Sequence, residues 1–328
     1  MAIPRRSRIH PIVWLAALVV TAATLVTLAP GASATAPGPN GRLLFMRFGR
    51  HCGDSQCSAV VTIDPDGTDA VHLTGLDGAS WSPDGTKLSS ATLTDDGRIG
   101  TLIVDADGSN PVELPIQDPS LNTPCGVWSP DGSRLFCEGW DFVHPHRAPG
   151  VFSVDASDGS DLVRVTKNPY GGHDIVFDTS PDGQSVVFFR EDPGRRHRNL
   201  ALMRVDADGS NLEKIGPWIA ERFCCTASWS PDGSTILTSN KGLFVVVAAD
   251  GSSVTTMDVD VDEGHFVFGP DWSPDGTRIA FDMATEITQR FDIYTAAVDG
   301  TDVQQVSHMK GGGFPTQVAW GSAPIVPN

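Results

Sequence analysis

Positive charge is what this chain has least of: 23 Lys and Arg stand against 40 Asp and Glu in 328 residues, a formal net charge of −17. Three of those bases, Arg5, Arg6 and Arg8, precede an uncharged run from Ile12 to Ala29, then Pro30-Gly31 and the small-residue site Ala32-Ser33-Ala34. That order marks an export signal over residues 1–34, with cleavage expected after Ala34. An uncleaved membrane anchor is the alternative, because the run lies near the short edge of the ~17 to 25 residues that span a bilayer. No Cys lies near the cleavage point to carry a lipid. Removing the signal leaves 20 basic against 40 acidic residues, a balance of −20. Nucleic acid and anionic membrane surfaces are poor partners for such a product, and the charge keeps it soluble.

Past a short linker over residues 35–41, the chain repeats itself. Trp-Ser-Pro-Asp-Gly occurs at Trp81, Trp128, Trp229 and Trp272, with Thr179 replacing Trp in a fifth copy and Trp320 marking a sixth position. Successive spacings from Trp81 to Trp320 are 47, 51, 50, 43 and 48 residues, close to the ~40 to 50 of propeller blades. Within the cassette, Pro presets φ, Asp caps backbone donors and Gly exits with positive φ, so each copy predicts a tight turn between two strands. Asp-Gly turns recur between the cassettes, at Asp66, Asp107, Asp158, Asp208, Asp250 and Asp299. Their Asp-x-Asp-Gly form lacks the later ligand of a calcium loop. Each repeat thus reads as strand A, turn, strand B, variable loop, strand C, Asp-Gly turn and strand D. The chain enters on a strand B at Gly41–Met46 and ends on a strand A at Thr316–Trp320. An all-β fold follows: a six-bladed β-propeller of four-stranded blades over residues 42–320, closed by pairing the C-terminal strand with the first blade. Residues 321–328 form a tail.

Trp-Ser-Pro-Asp-Gly with an Ile-Ala-Phe run behind it, as at Trp272 to Phe281, and the Asp66 to Thr74 ending resemble the PD40 repeats of the TolB-like propeller superfamily. The resemblance covers roughly residues 41–320. It implies a scaffold whose relatives act as partner-binding modules, as accessory domains of serine peptidases and, in some cases, as metal-dependent lyases with His ligands. No G-x-S-x-G elbow is present for the peptidase role.

Six cysteines in an exported chain favour disulfides. Cys125 and Cys137 flank one turn on adjacent strands and are placed for a cross-strand bridge. Cys52 and Cys57 would close a small loop, with metal binding alongside His51 as the rival reading. Cys224 and Cys225 are adjacent and form either a vicinal disulfide or two thiols.

The A–B and C–D turns repeat and must share one face. The unrepeated B–C and D–A loops share the other, where a rigid scaffold carries its specificity. D–A loops bring His173, Asp174, Glu221, Arg222, Glu263 and His265 towards the central channel, while Trp140, Trp218 and Arg196 sit on the same face as exposed contacts for a ligand. His144, His146, His173 and His265 are the candidate metal ligands, and no cofactor is expected beyond a metal ion that the channel could hold. No nucleophile-base-orienter spacing is present. The reading is a monomeric, extracytoplasmic, non-catalytic module that binds an envelope or extracellular protein, a peptide or a glycan at the channel mouth. A metal-dependent lyase or hydrolase using the His and acid cluster is the alternative.

Overall fold

The computed structural model describes residues 37–49, 57–147, 149–195, 199–219, 226–285, 291–308 and 314–323. Among them every regular element is a β-strand, and no helix is long and apolar enough to cross a membrane. The strands form six antiparallel sheets, one per repeat, in the order A-B-C-D. Each strand A lies against strand A of the next blade all the way round, so the strands that carry the cassette Trp line the axis.

Every cassette closes in the same way. In the second blade Ser82 Oγ donates to Asp84 Oδ1 at 2.7 Å, Thr86 N donates to the same oxygen at 3.0 Å, and Lys87 N donates back to Ser82 Oγ at 2.9 Å. Asp131, Asp182, Asp232 and Asp275 repeat the arrangement with their own serines. These Asp residues are turn fixtures. Bonds from Ser129 and then Ser133 hold the Asp131 carboxyl below its ordinary range. The two kinds of turn also touch: Ala106 N reaches Thr86 O at 2.9 Å, and Ala156, Ala207, Ala249 and Val298 make the matching bond in the following blades. A–B and C–D turns therefore share one face, which leaves the variable loops on the other.

Packing between blades comes from the cassette. Trp81, Trp128, Trp229, Trp272 and Trp320 are all buried, wedged between sheets with the apolar residues of strand B. Two buried acids add a polar stitch between blades. Asp178 Oδ2 accepts Trp229 N of the next blade at 2.7 Å, and Asp271 Oδ2 accepts Trp320 N at 2.6 Å. Burial pushes the Asp178 carboxyl well above its usual value, opposed by the Trp229 N–H and reinforced by the Asp271 charge.

The ring closes as the sequence frame requires. Strand B of the first blade, Asn40–Gly49, pairs with the C-terminal Phe314–Ser322, in register Leu43↔Trp320 and Leu44↔Ala319. Cys125 and Cys137 are cross-strand partners and are bridged. Cys52, Cys224 and Cys225 lie outside the described residues, as do residues 1–34, where the export signal is expected.

Blade 3 departs from the pattern. Its strand A is Cys125–Trp128, and a separate two-residue strand, Leu121–Asn122, pairs with the far end of strand B at Trp140 and Asp141. Pro124, which has no N–H to give, separates the two pieces. Strand B consequently runs through Arg134–Asp141.

Candidate functional site

That longer strand B corrects one expectation. Trp140 is not an exposed loop aromatic but a strand residue, 6% exposed. Its ring meets the imidazole of His173 edge-on, with centroids 5.6 Å apart. His173 stands just before strand A of blade 4, Asp174–Thr179. Its Nδ1 is hydrogen-bonded to Oε1 of Glu138, a buried residue of the blade 3 strand B. On the other side Glu191 N donates to His173 O at 2.8 Å, and the Glu191 carboxylate accepts His173 N at 3.4 Å. Buried Asn168 fixes the loop that delivers the imidazole: its Nδ2 donates to Glu191 O at 2.9 Å and to His173 O at 3.2 Å, and its Oδ1 accepts Tyr170 N at 2.9 Å. The result is a half-buried imidazole, oriented by one glutamate, beside a second and backed by an indole. Such an arrangement can hold a polar group of a ligand or pass a proton to it.

Asp174, the neighbour of His173, is fully buried. Arg190 meets it bidentately, Nε to Oδ1 at 2.8 Å and Nη2 to Oδ2 at 2.6 Å, and Thr166 Oγ1 donates to Oδ2 at 2.6 Å. With both oxygens taken in this way, Asp174 anchors strand A and places His173 rather than facing the channel mouth.

The remaining candidates are spread round the loop face. His144 sits 3.7 Å from Asp141, and His146 Nδ1 lies 3.0 Å from Gly171 O, tying the B–C loop of blade 3 to the loop before blade 4. His265 opens strand A of blade 6, with Nδ1 2.9 Å from Asp262 O, and Glu263 is exposed beside it. Trp218, expected as an exposed contact, is instead a half-buried residue of the strand Glu213–Ile219, with the Arg195 guanidinium 4.0 Å above its ring. Glu221, Arg222 and Arg196 lie outside the described residues. Among the described residues, no three His, Cys, Asp or Glu side chains are gathered to hold a metal ion, and His144, His146, His173 and His265 do not form such a set.

Residue-type reasoning missed Glu138, Glu191, Asn168 and the exposed rim residues Phe142 and Tyr170. A signal for Glu138 exists: it interrupts the strand B run Leu135-Phe136-Cys137 with a charge. A charge inside an otherwise apolar strand needs a partner.

No protein-family model matches the chain, and no curated protein matches it closely. Solved structures do. TolB from Acinetobacter baumannii superposes with a TM-score of 0.64 at 17% identity, over 88% of this chain and 68% of its own. The fold is that of a TolB-like six-bladed propeller. Hydrazine synthase of Kuenenia stuttgartiensis shares it at 15% identity and TM-score 0.62, over 89% of this chain and 48% of its own. So does an oligogalacturonate lyase from Vibrio parahaemolyticus, at 17% identity and TM-score 0.52 over 86% and 79%. A TolB-like propeller therefore carries quite different proteins, and the fold by itself does not choose among them.

Proposed function

We propose that this TolB-like propeller is an exported, non-catalytic binding module that takes a protein, peptide or glycan at the loop-face mouth of its channel, beside His173. One observation carries the reading. Among the described residues, the aromatic side chains that stand exposed, Phe142, Tyr170 and Phe266, all belong to the loop face, and none to the face of tight turns. Exposed aromatics give contact area at little entropic cost, and the His173–Glu138 pair beside Tyr170 supplies polar direction. The Cys125–Cys137 bridge fits an oxidising compartment, in agreement with export.

The likeness to an oligogalacturonate lyase keeps a metal-dependent lyase or hydrolase as the second reading, with His173 as its proton-transfer group. Metal analysis of the purified exported protein separates the two, a stoichiometric transition metal favouring the enzyme. The binding reading is tested by presenting the protein to glycan and peptide arrays and to envelope extract. Tyr170→Ala should weaken the captured ligand by about tenfold with the melting temperature little changed. His173→Ala should weaken it as much and also lower the melting temperature, because it leaves the buried Glu138 carboxylate without its imidazole partner. A ligand that survives both changes, yet is lost on Asp107→Asn or Asp208→Asn, would place the working surface on the opposite face.

A further inference from the structure

The tight-turn face is not uniform. At three successive blade junctions the turn glycine of one blade lies against the turn proline of the blade before: a Cβ on Gly183, Gly233 or Gly276 would sit 3.5, 3.7 or 3.8 Å from Pro130, Pro181 or Pro231. A Cβ on Gly132 would meet nothing within 4 Å, so blades 2 and 3 stand apart where those three junctions touch. The strand B position that faces the next blade helps to explain the gap. It holds Leu44, Phe136, Val187, Leu237 and Ala280 in the other blades and Ser89 in blade 2. Ser89 Oγ accepts the Trp128 indole N–H at 3.1 Å.

The gap opens into a groove of about 710 Å³, a size typical of ligand sites. Ile103, Val112, Leu114 and Trp128 give it apolar walls, and Asp84 and Asp131 stand at its rim. Both carboxyls are held ionised. For Asp131 the cause is the Ser129 hydroxyl bond; for Asp84, burial that would raise it is outweighed by bonds from Ser82 and Thr86. Among the described residues the cation bordering the groove is Lys87, and it is engaged by Asp105 at 3.0 Å. The rim therefore presents uncompensated negative charge over an apolar floor.

We infer that this groove docks a basic peptide segment of a partner, with an apolar side chain against Ile103, Val112 and Leu114 and a Lys or Arg between Asp84 and Asp131. Charge decides the class, since an acidic segment would meet like charge at both rim positions. The site lies on the face opposite His173 and stands independently of the function proposed above.

Trp128 provides the readout, because its indole resonance reports directly on the groove. The exported protein, isotope-labelled, is titrated with an acetylated and amidated Lys-Leu-Lys-Leu-Lys peptide and with its Glu-for-Lys counterpart. A saturable shift of the Trp128 resonance is expected with the basic peptide alone, weakening as salt rises. Val112→Arg, a change at a position 56% exposed, should reduce the affinity by about tenfold. Asp131→Asn should reduce it less and flatten the salt dependence, which decides the matter if the Val112 variant misfolds. His173→Ala should leave it unchanged. No saturable shift, an equal response to the acidic peptide, or binding indifferent to both groove variants overturns the proposal.

Discussion

Glu138 and Asp282 occupy the same place in two blades on opposite sides of the ring. Each is the fourth residue of an apolar strand B run, after Leu135-Phe136-Cys137 and Ile279-Ala280-Phe281, and each is turned towards the next blade. Glu138 finds an imidazole there. Among the described residues Asp282 finds only the backbone N–H of Gln317 at 3.2 Å, and its buried Oδ1 has no hydrogen-bond partner among them. Burial accordingly drives the Asp282 carboxyl well above its ordinary value. The same residue class at the same repeat position is thus a satisfied element of a candidate binding site in one blade and an uncompensated carboxyl in the seam of the ring in the other. What separates them is the single side chain that the following blade supplies.

The largest effect available at the Asp282 seam is removal of the strand that forms it. Ending the chain before Phe314 deletes Val318 and Trp320, both almost wholly buried. The apolar burial lost is about 3 to 6 kcal/mol at ~1.5 to 3 per side chain, against total stabilities of about 5 to 15. The truncated protein should unfold or aggregate through its bare edges, and a cooperative melt at the parental temperature would refute the closed ring. At the Glu138 seam the corresponding test is Asp174→Ala, which leaves Arg190 buried without its partner and should cost about 3 to 5 kcal/mol. A stability close to that of the parent, measured by denaturant unfolding, would instead make Asp174 a ligand residue held for function.

Smaller substitutions sharpen the contrast, because they should act with opposite signs. Glu138→Gln weakens the bond to His173 and should lower stability by about 1 kcal/mol. Asp282→Asn should raise it by about 1 kcal/mol near neutral pH, since the amide carries no charge to bury. The pH dependence has a defined sign. With its folded-state pKa raised above the unfolded value of about 3.8, Asp282 binds more protons in the native than in the unfolded chain. Stability therefore falls as pH rises between those two values. Melting curves from mildly acidic to neutral pH should show that fall in the parent and a flatter profile in Asp282→Asn. Parallel curves would mean that Asp282 has a partner the contrast leaves out.

Much of this protein was legible in its sequence because the repeat is local. Five Ser-Pro-Asp-Gly turns, the Asp-Gly turns between them and the apolar strands after them use residues within a few positions of one another, and their spacing set the blade count. The frame, entering on strand B and ending on strand A, fixed how the ring closes, and Cys125 and Cys137 could be paired because one hairpin holds both. The site was only half legible. His173 was named, but Glu138 lies 35 residues away in the preceding blade, and nothing in either neighbourhood announces the pairing. Trp140 looked like a loop residue because the local run of apolar residues ends at Cys137, whereas tertiary pairing with Leu121–Asn122 carries the strand through to Asp141. The groove at Gly132 likewise opens at the junction where Ser89, an ordinary strand serine in the sequence, meets the indole of the next blade. Turns and strands are decided by neighbours in sequence, through φ preferences and side-chain bonds to the nearby backbone. Partnership across a blade junction is decided only when separate sheets are packed face to face.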